Sequence, residues 1–157
     1  MDRHDMKAVL QRVRRASVEV QGELVGNIEQ GLVILLGIAR GDTMLLAHSL
    51  AEKIQCLRIF SDAAGRMNQS LQDVNGSVLV ISQFTLLANT RRGRRPSFES
   101  AASPDEARML YESFIQHLRS LNLHVETGIF GATMVVSLEN DGPVTLVLDT
   151  SEEKEVH

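Results

Sequence analysis

The chain has 157 residues, is 43% hydrophobic and 23% charged, and carries a single cysteine, Cys56. That is ordinary globular usage for a chain long enough to bury a core, and it excludes a disordered chain, a collagen, a coiled coil and an intramolecular disulfide. The net charge of −4 is uneven: Arg91, Arg92, Arg94 and Arg95 hold four positive charges within five residues, so the rest of the chain sums to −8.

An acidic body with one basic loop suits a protein that touches a polyanion at one place, although a charge run is also what a solvated loop looks like. Aromatic residues make up 4% and Trp is absent, which argues against a base-stacking platform. The longest apolar run, Gly31 to Ala39, falls short of the roughly 20 residues that a membrane span needs. The charged start Met1–Asp5 has no apolar stretch behind it, so no signal peptide is expected.

Taken in chain order, Ala8, Leu10 and Arg12 share one face of a strand, and Lys7, Val9, Gln11 and Val13 share the other. Val18 and Val20 continue the alternation, Gly22-Glu23 turns the chain, and Leu24-Val25 begins the return strand of a hairpin. Gly31–Gly37 predicts a strand buried on both faces. Asp42 is placed as the cap of a helix in which Met44, Ala47, Leu50, Ala51, Ile54 and Leu57 repeat at helical spacing. Residues 61–76 read as loop with short extended pieces, and Ser77–Ile81 as a buried strand.

After the arginine loop, Ser103 caps a second helix, with Pro104 at its first position and Glu106 closing a capping box. Ala107, Leu110, Tyr111, Phe114, Leu118 and Leu121 form its buried face. Strands at 124–127, 132–138 and 144–149 close the chain. Strands outnumber helices and several are joined by hairpins. The expected fold is α+β, a curved, largely antiparallel, barrel-like sheet covered by two amphipathic helices, in one domain over 1–150 with a polar acidic tail at 151–157.

Candidate chemistry is sparse. His4, His48, His117, His124 and His157 form no His-x-x-x-His pair, and with one cysteine no metal site is expected. Gly-x-Gly-x-x-Gly, the Walker pattern and Gly-x-Ser-x-Gly are absent. What remains is Ser82-Gln83-Phe84-Thr85, where period two puts Gln83 and Thr85 on one face if the strand persists. Such polar groups either satisfy the backbone where a strand stops or present donors to a ligand at the sheet's end. A threonine hydroxyl is a poor nucleophile without a base beside it, and the motif holds none. Asn140-Asp141-Gly142-Pro143-Val144-Thr145 reads alone as a turn; the sharper alternative is that Gly-Pro brings backbone carbonyls close to a ligand.

Together, Ser82-Gln83-Phe84-Thr85-Leu86 and Asn140-Asp141-Gly142-Pro143-Val144-Thr145, at this separation, resemble the D-aminoacyl-tRNA deacylase family. Gln11-Arg12-Val13, Arg58-Ile59-Phe60-Ser61-Asp62 and Arg95-Pro96-Ser97-Phe98 match it too, so the resemblance runs from Met6 to Leu148. The loop at Arg91–Arg95 is more basic than the family's, and an acidic tail follows Asp149.

The resemblance implies a cytoplasmic homodimer that needs no cofactor. It would hydrolyse the ester joining a D-amino acid, or glycine, to the 3′-terminal adenosine of tRNA and spare L-aminoacyl-tRNA. Each of two interfacial sites would pair Ser82, Gln83, Phe84 and Thr85 of one subunit with Gly142 and Pro143 of the other. A cis Gly-Pro bond would aim two carbonyls at the substrate amino group and leave no room for an L side chain. The ribose 2′-hydroxyl would help activate water while backbone donors near Phe84 meet the oxyanion. Arg12 and Met134 are expected to support the pocket. Arg91, Arg92, Arg94 and Arg95, the concentrated positive charge, are expected to contact tRNA phosphates. A non-catalytic binder of aminoacyl-tRNA ends and a small-ester hydrolase are the alternatives.

Overall fold

The structure, a computed structural model, describes residues 5–151; His4, His157 and nearly all of the expected acidic tail lie outside them. In chain order the elements are β1 (Lys7–Val20), β2 (Glu23–Ile28), β3 (Gly31–Gly37), α1 (Met44–Cys56), β4 (Phe60–Ser61), β5 (Met67–Gln69), β6 (Ser77–Ser82), a 3₁₀ turn (Phe84–Leu87), α2 (Pro104–Ser120), β7 (His124–Thr127) and β8 (Val135–Asp149).

β1 organises the sheet. One of its edges pairs antiparallel with β3 along its first half and with β2 along its second, while β8 runs antiparallel along the other edge. The first hairpin turns at Gln21 and Gly22, both at positive φ (52° and 79°), one residue before the expected Gly22-Glu23. Two consecutive left-handed residues match the right-handed twist of the flanking strands.

The sheet is mixed rather than largely antiparallel: β3 pairs parallel with β6, and β6 parallel with β7. Parallel neighbours need long crossovers, and α1 and α2 lie in the two crossovers. The strand order β2-β1-β3-β6-β7 curls until β2 and β7 nearly meet; a Cβ on Gly26 would stand 2.8 Å from the Thr127 carbonyl oxygen. The result is a nearly closed, barrel-like sheet with two helices.

Period two explains why β3 and β6 are apolar throughout. Leu32, Ile34, Leu36, Val78 and Val80 face the core shared with the helices, while Val33, Leu79 and Ile81 face the barrel interior. β1 changes sides along its length: Ala8 and Leu10 belong to the helix-side core, Val13, Ala16 and Val18 to the interior.

α2 starts at the expected cap, with the Ser103 hydroxyl accepting from the Glu106 N–H at 3.4 Å, but among the described residues no return bond to the Glu106 carboxylate closes the expected box; the helix buries Leu110, Tyr111, Phe114, Ile115 and Leu118. The cap of α1 is Thr43, not Asp42: its Oγ1 accepts from the Leu46 N–H at 3.1 Å. Asp42 instead shapes the approach, its carboxylate accepting from the backbone N–H groups of Ala39 (2.7 Å) and Asp5 (3.1 Å). His48 and His117 stack between the two helices with ring centroids 4.3 Å apart. Among the described residues no helix is long and apolar enough to cross a membrane.

Candidate active site

β3, β6 and β7 are parallel, so their carboxyl ends fall at one edge of the sheet, where connecting segments are free to build a site. A cavity of about 740 Å³ lies there, within the small-molecule range. It is walled by Ile38 and Arg40 after β3, by Ser82, Gln83 and Phe84 at the end of β6, and by Phe130, Gly131, Ala132 and Met134 after β7.

Strand geometry stops at Ser82. The Gln83 N–H still reaches the Leu36 carbonyl at 2.8 Å, but Phe84–Leu87 turns into a 3₁₀ helix, so the expectation of Gln83 and Thr85 on one face of a continuing strand does not hold. The turn can lie this close because residue 37 is glycine: a Cβ there would meet Leu87 Cδ2 at 2.7 Å and Leu86 Cβ at 2.9 Å. The turn brings Gln83 and Thr85 together anyway, since Gln83 Nε2 donates to Thr85 Oγ1. The turn has no side-chain cap, so its leading N–H groups remain available. Phe84 is 56% exposed and packs edge-on against Phe98, centroids 5.0 Å apart.

Gly142 and Pro143 are elsewhere. The two strands expected at 132–138 and 144–149 are one strand, β8, and the expected turn is a bulge within it. Asn140 pairs with Val13 and Thr145 with Gln11, so Asp141 to Val144 stand opposite Arg12 alone. Proline has no N–H for the ladder, which suits such a position. The Gly142–Pro143 peptide is cis, and both residues are exposed.

Arg12, only 8% exposed, fixes the bulge from beneath. Its Nε donates to the Asp141 carbonyl at 3.1 Å and its Nη1 to the Ile59 carbonyl at 2.7 Å. The Asn140 side chain staples the bulge, accepting from the Val144 N–H and donating to Thr145 Oγ1. Within one chain, then, the cavity gathers Ser82, Gln83, Phe84 and Met134, whereas Arg12, Gly142 and Pro143 form a separate unit and do not line it.

A family model described as D-Tyr-tRNA(Tyr) deacylase matches residues 9–149. The chain belongs to this family. It is 58% identical over 145 residues to a D-aminoacyl-tRNA deacylase of Halalkalibacterium halodurans, covering 92% of this chain and 99% of the relative. It is 58% identical over 147 residues to one of Thermus aquaticus, covering 94% and 97%. Among solved structures it resembles a c-Myc DNA unwinding element binding protein, with a TM-score of 0.85 and 41% identity over 90% of this chain and 97% of that one. A probable eukaryotic D-amino acid tRNA deacylase shares the fold at a TM-score of 0.79 and 18% identity, covering 92% and 98%.

In this deacylase-family chain the arginine loop is a ribbon. Asn89 and Ser97 exchange backbone hydrogen bonds at its neck, and Arg91, Arg92, Arg94 and Arg95 are exposed beyond it. Sequence reasoning misses Arg40, Phe98 and Phe130 as cavity walls and Asn140 as the staple of the bulge. Asn140 carries a readable signal, an Asn two residues before Gly-Pro, while the other three depend on which strands end together.

Proposed function

We propose that this chain is a D-aminoacyl-tRNA deacylase working as a homodimer in the cytoplasm, acting on D-aminoacyl-tRNA and on glycyl-tRNA and sparing L-aminoacyl-tRNA. The observation that carries the reading is the separation of the two motifs. Ser82, Gln83 and Phe84 line a cavity at the strand ends, while Gly142-Pro143 projects from a bulge on the outer strand of the same chain. A second copy is the economical source of the missing wall. β8 also carries apolar side chains for such an interface, with Val135 62% and Val147 68% exposed.

The chemistry follows from the cavity wall. Among the described residues, none that lines it is His, Asp, Glu, Cys or Lys, so these residues supply no general base there. Their contribution is positioning of the ester and dipoles for the oxyanion, the N–H groups leading into the 3₁₀ turn being the candidates. Water, activated by the ribose 2′-hydroxyl, adds to the ester carbonyl. The bond to the ribose oxygen breaks, that oxygen takes a proton, and the free amino acid leaves as its carboxylate. The partner's Gly142 and Pro143 carbonyls hold the substrate ammonium and exclude an L side chain. The Gln83–Thr85 pair orients the ester, and Met134 fills the cavity floor.

Incubating the protein with a large excess of D-Tyr-tRNA and, separately, L-Tyr-tRNA tests this. Many turnovers on the D ester and none on the L ester are expected; one equivalent released would leave a stoichiometric binder, and equal rates would remove the chiral filter. Co-expressing a cavity-blocked Ala132→Trp chain with a Gly142→Ala chain tests the shared site. Each variant alone is expected to be inactive, and activity should return in the mixture, because half of each heterodimer's sites are intact.

A further inference from the structure

Among the described residues, Arg40 is the sole charged one on the cavity wall. Its backbone N–H donates to the Ser100 carbonyl at 2.9 Å and its Nε to the Ala101 carbonyl at 3.2 Å, so the head group is tethered at its base. None of the ion pairs among the described residues involves it. A guanidinium held by Nε, with its Nη fork unspent and no ion-pair partner among the described residues, although Asp42 and Glu99 lie close along the chain, is arranged to receive an anion.

The substrate's own chemistry says which anion, given the deacylase reading above, on which this inference rests. In an aminoacyl ester the amino acid's carboxyl is esterified and neutral, and its amino end is cationic. An arginine therefore repels the amino-acid end. The negative charge nearest the scissile bond is the phosphate on the 5′ carbon of the same ribose. We propose that Arg40 binds that phosphate, which sets the nucleotide at the Arg40 side of the cavity and the amino acid at the far side.

The chain path agrees. Ala39 bridges Ala101 at the base of the arginine ribbon, and Asn89 bridges Ser97 at its neck. The four residue steps from Ser97 to Ala101 span at most about 14 Å. Arg40 at the cavity wall and Arg91–Arg95 beyond the neck would then mark the two ends of the path taken by the upstream nucleotides of an acceptor strand, with the acid Glu99 lying between them.

The test uses the full-length protein and two small probes, D-tyrosyl-adenosine and the same ester carrying a 5′-methyl phosphate diester. Wild type, Arg40→Gln and Arg40→Lys are compared by single-turnover kcat/KM, with melting temperatures alongside. Arg40 is exposed, so wild type is expected to prefer the phosphate-bearing probe by about three- to five-fold, the worth of a well-placed exposed charge pair. Arg40→Gln, whose amide can still donate to Ala101, should erase that preference, and Arg40→Lys should keep most of it. A preference that survives Arg40→Gln overturns the assignment, as does an equal loss on both probes or a loss as large in Arg40→Lys. Equal wild-type rates on both probes overturn it and leave the deacylase reading standing; inactivity on both probes and on D-Tyr-tRNA removes that reading itself.

Discussion

The partner of one hydroxyl bears on what Thr85 does. A nucleophilic hydroxyl needs a neighbour that takes its proton, but the partner of Thr85 is the Gln83 side-chain amide, which is no base at neutral pH whichever end faces the hydroxyl. Thr85→Ala is therefore expected to keep most of the deacylase activity, losing about five-fold for an orienting hydrogen bond of about 1 kcal/mol. An obligatory nucleophile would lose on the order of 10⁴-fold or more, so single-turnover rates on D-Tyr-tRNA separate the two roles. Gly142 is constrained in the opposite way. Its φ of +126° is unsuited to an L side chain, and an added Cβ would meet Val144 Cγ2 at 2.9 Å and Arg12 Nη2 at 3.0 Å. Arg12 is buried and committed to two carbonyls, so the bulge must move instead. Gly142→Ala should cost about 1–3 kcal/mol and lower the melting temperature by several degrees. Its loss of D-Tyr-tRNA turnover should be much larger than that shift alone explains; normal turnover in a destabilised protein would make the bulge purely structural.

Gly37 shows how an element boundary positions the site. The strand must end where the 3₁₀ turn crosses it, and the atoms facing residue 37 include Leu86 Cβ and, at 3.1 Å, the Gln83 carbonyl oxygen. Leu87 anchors the turn in a small cluster with Ala39 and Ala101, so the turn has little freedom to back away. Gly37→Ala is expected to fold, with a far-ultraviolet spectrum like wild type, yet to lose at least about ten-fold in kcat/KM, because a shift of about 1 Å in a positioning element is costly; unchanged kinetics would show that the turn can re-seat. The same boundary marks where sequence reading stops. Helix α2 is legible because its start is encoded locally, by Ser103 and Pro104, although Ile115 joins its buried face unforeseen and Ala107 and Leu121 are only partly buried. β3 and β6 are legible as buried strands because both faces are apolar. Their parallel pairing is not legible, since nothing local distinguishes a crossover helix from one that merely covers a sheet. The Asp141–Val144 bulge reads as a turn because Asn-Asp-Gly-Pro carries turn chemistry; only the β1 register reveals a strand that continues past it. With the parallel edge unseen, Arg40, Phe98 and Phe130 have no reason to be grouped with Ser82.

On the scale of the whole molecule, charge and architecture point the same way. The body is acidic and would repel a polyanion over most of its surface, while the exposed ribbon tip at Arg91–Arg95 carries four positive charges. That tip is tied back, through Ser100 and Ala101, to Arg40 at the cavity mouth. An approaching tRNA would be attracted at the tip and steered away elsewhere, and the ribbon would present its 3′ end to the cavity in one orientation. Replacing Arg91, Arg92, Arg94 and Arg95 together by Ser makes this measurable. For every phosphate the variant no longer neutralises, the slope of log K against log salt should fall by about 0.7 to 0.9, so binding of full-length tRNA should weaken and its salt dependence flatten. Hydrolysis of D-tyrosyl-adenosine, which is too short to reach the ribbon tip, should change little, because the cavity wall includes none of the four residues. The two readouts together separate steering from damage. A flattened slope with intact small-probe hydrolysis locates the tRNA-binding surface on the ribbon, an unchanged slope returns the arginines to a solvated loop, and loss of both activities would mean that the ribbon also shapes the cavity through Phe98.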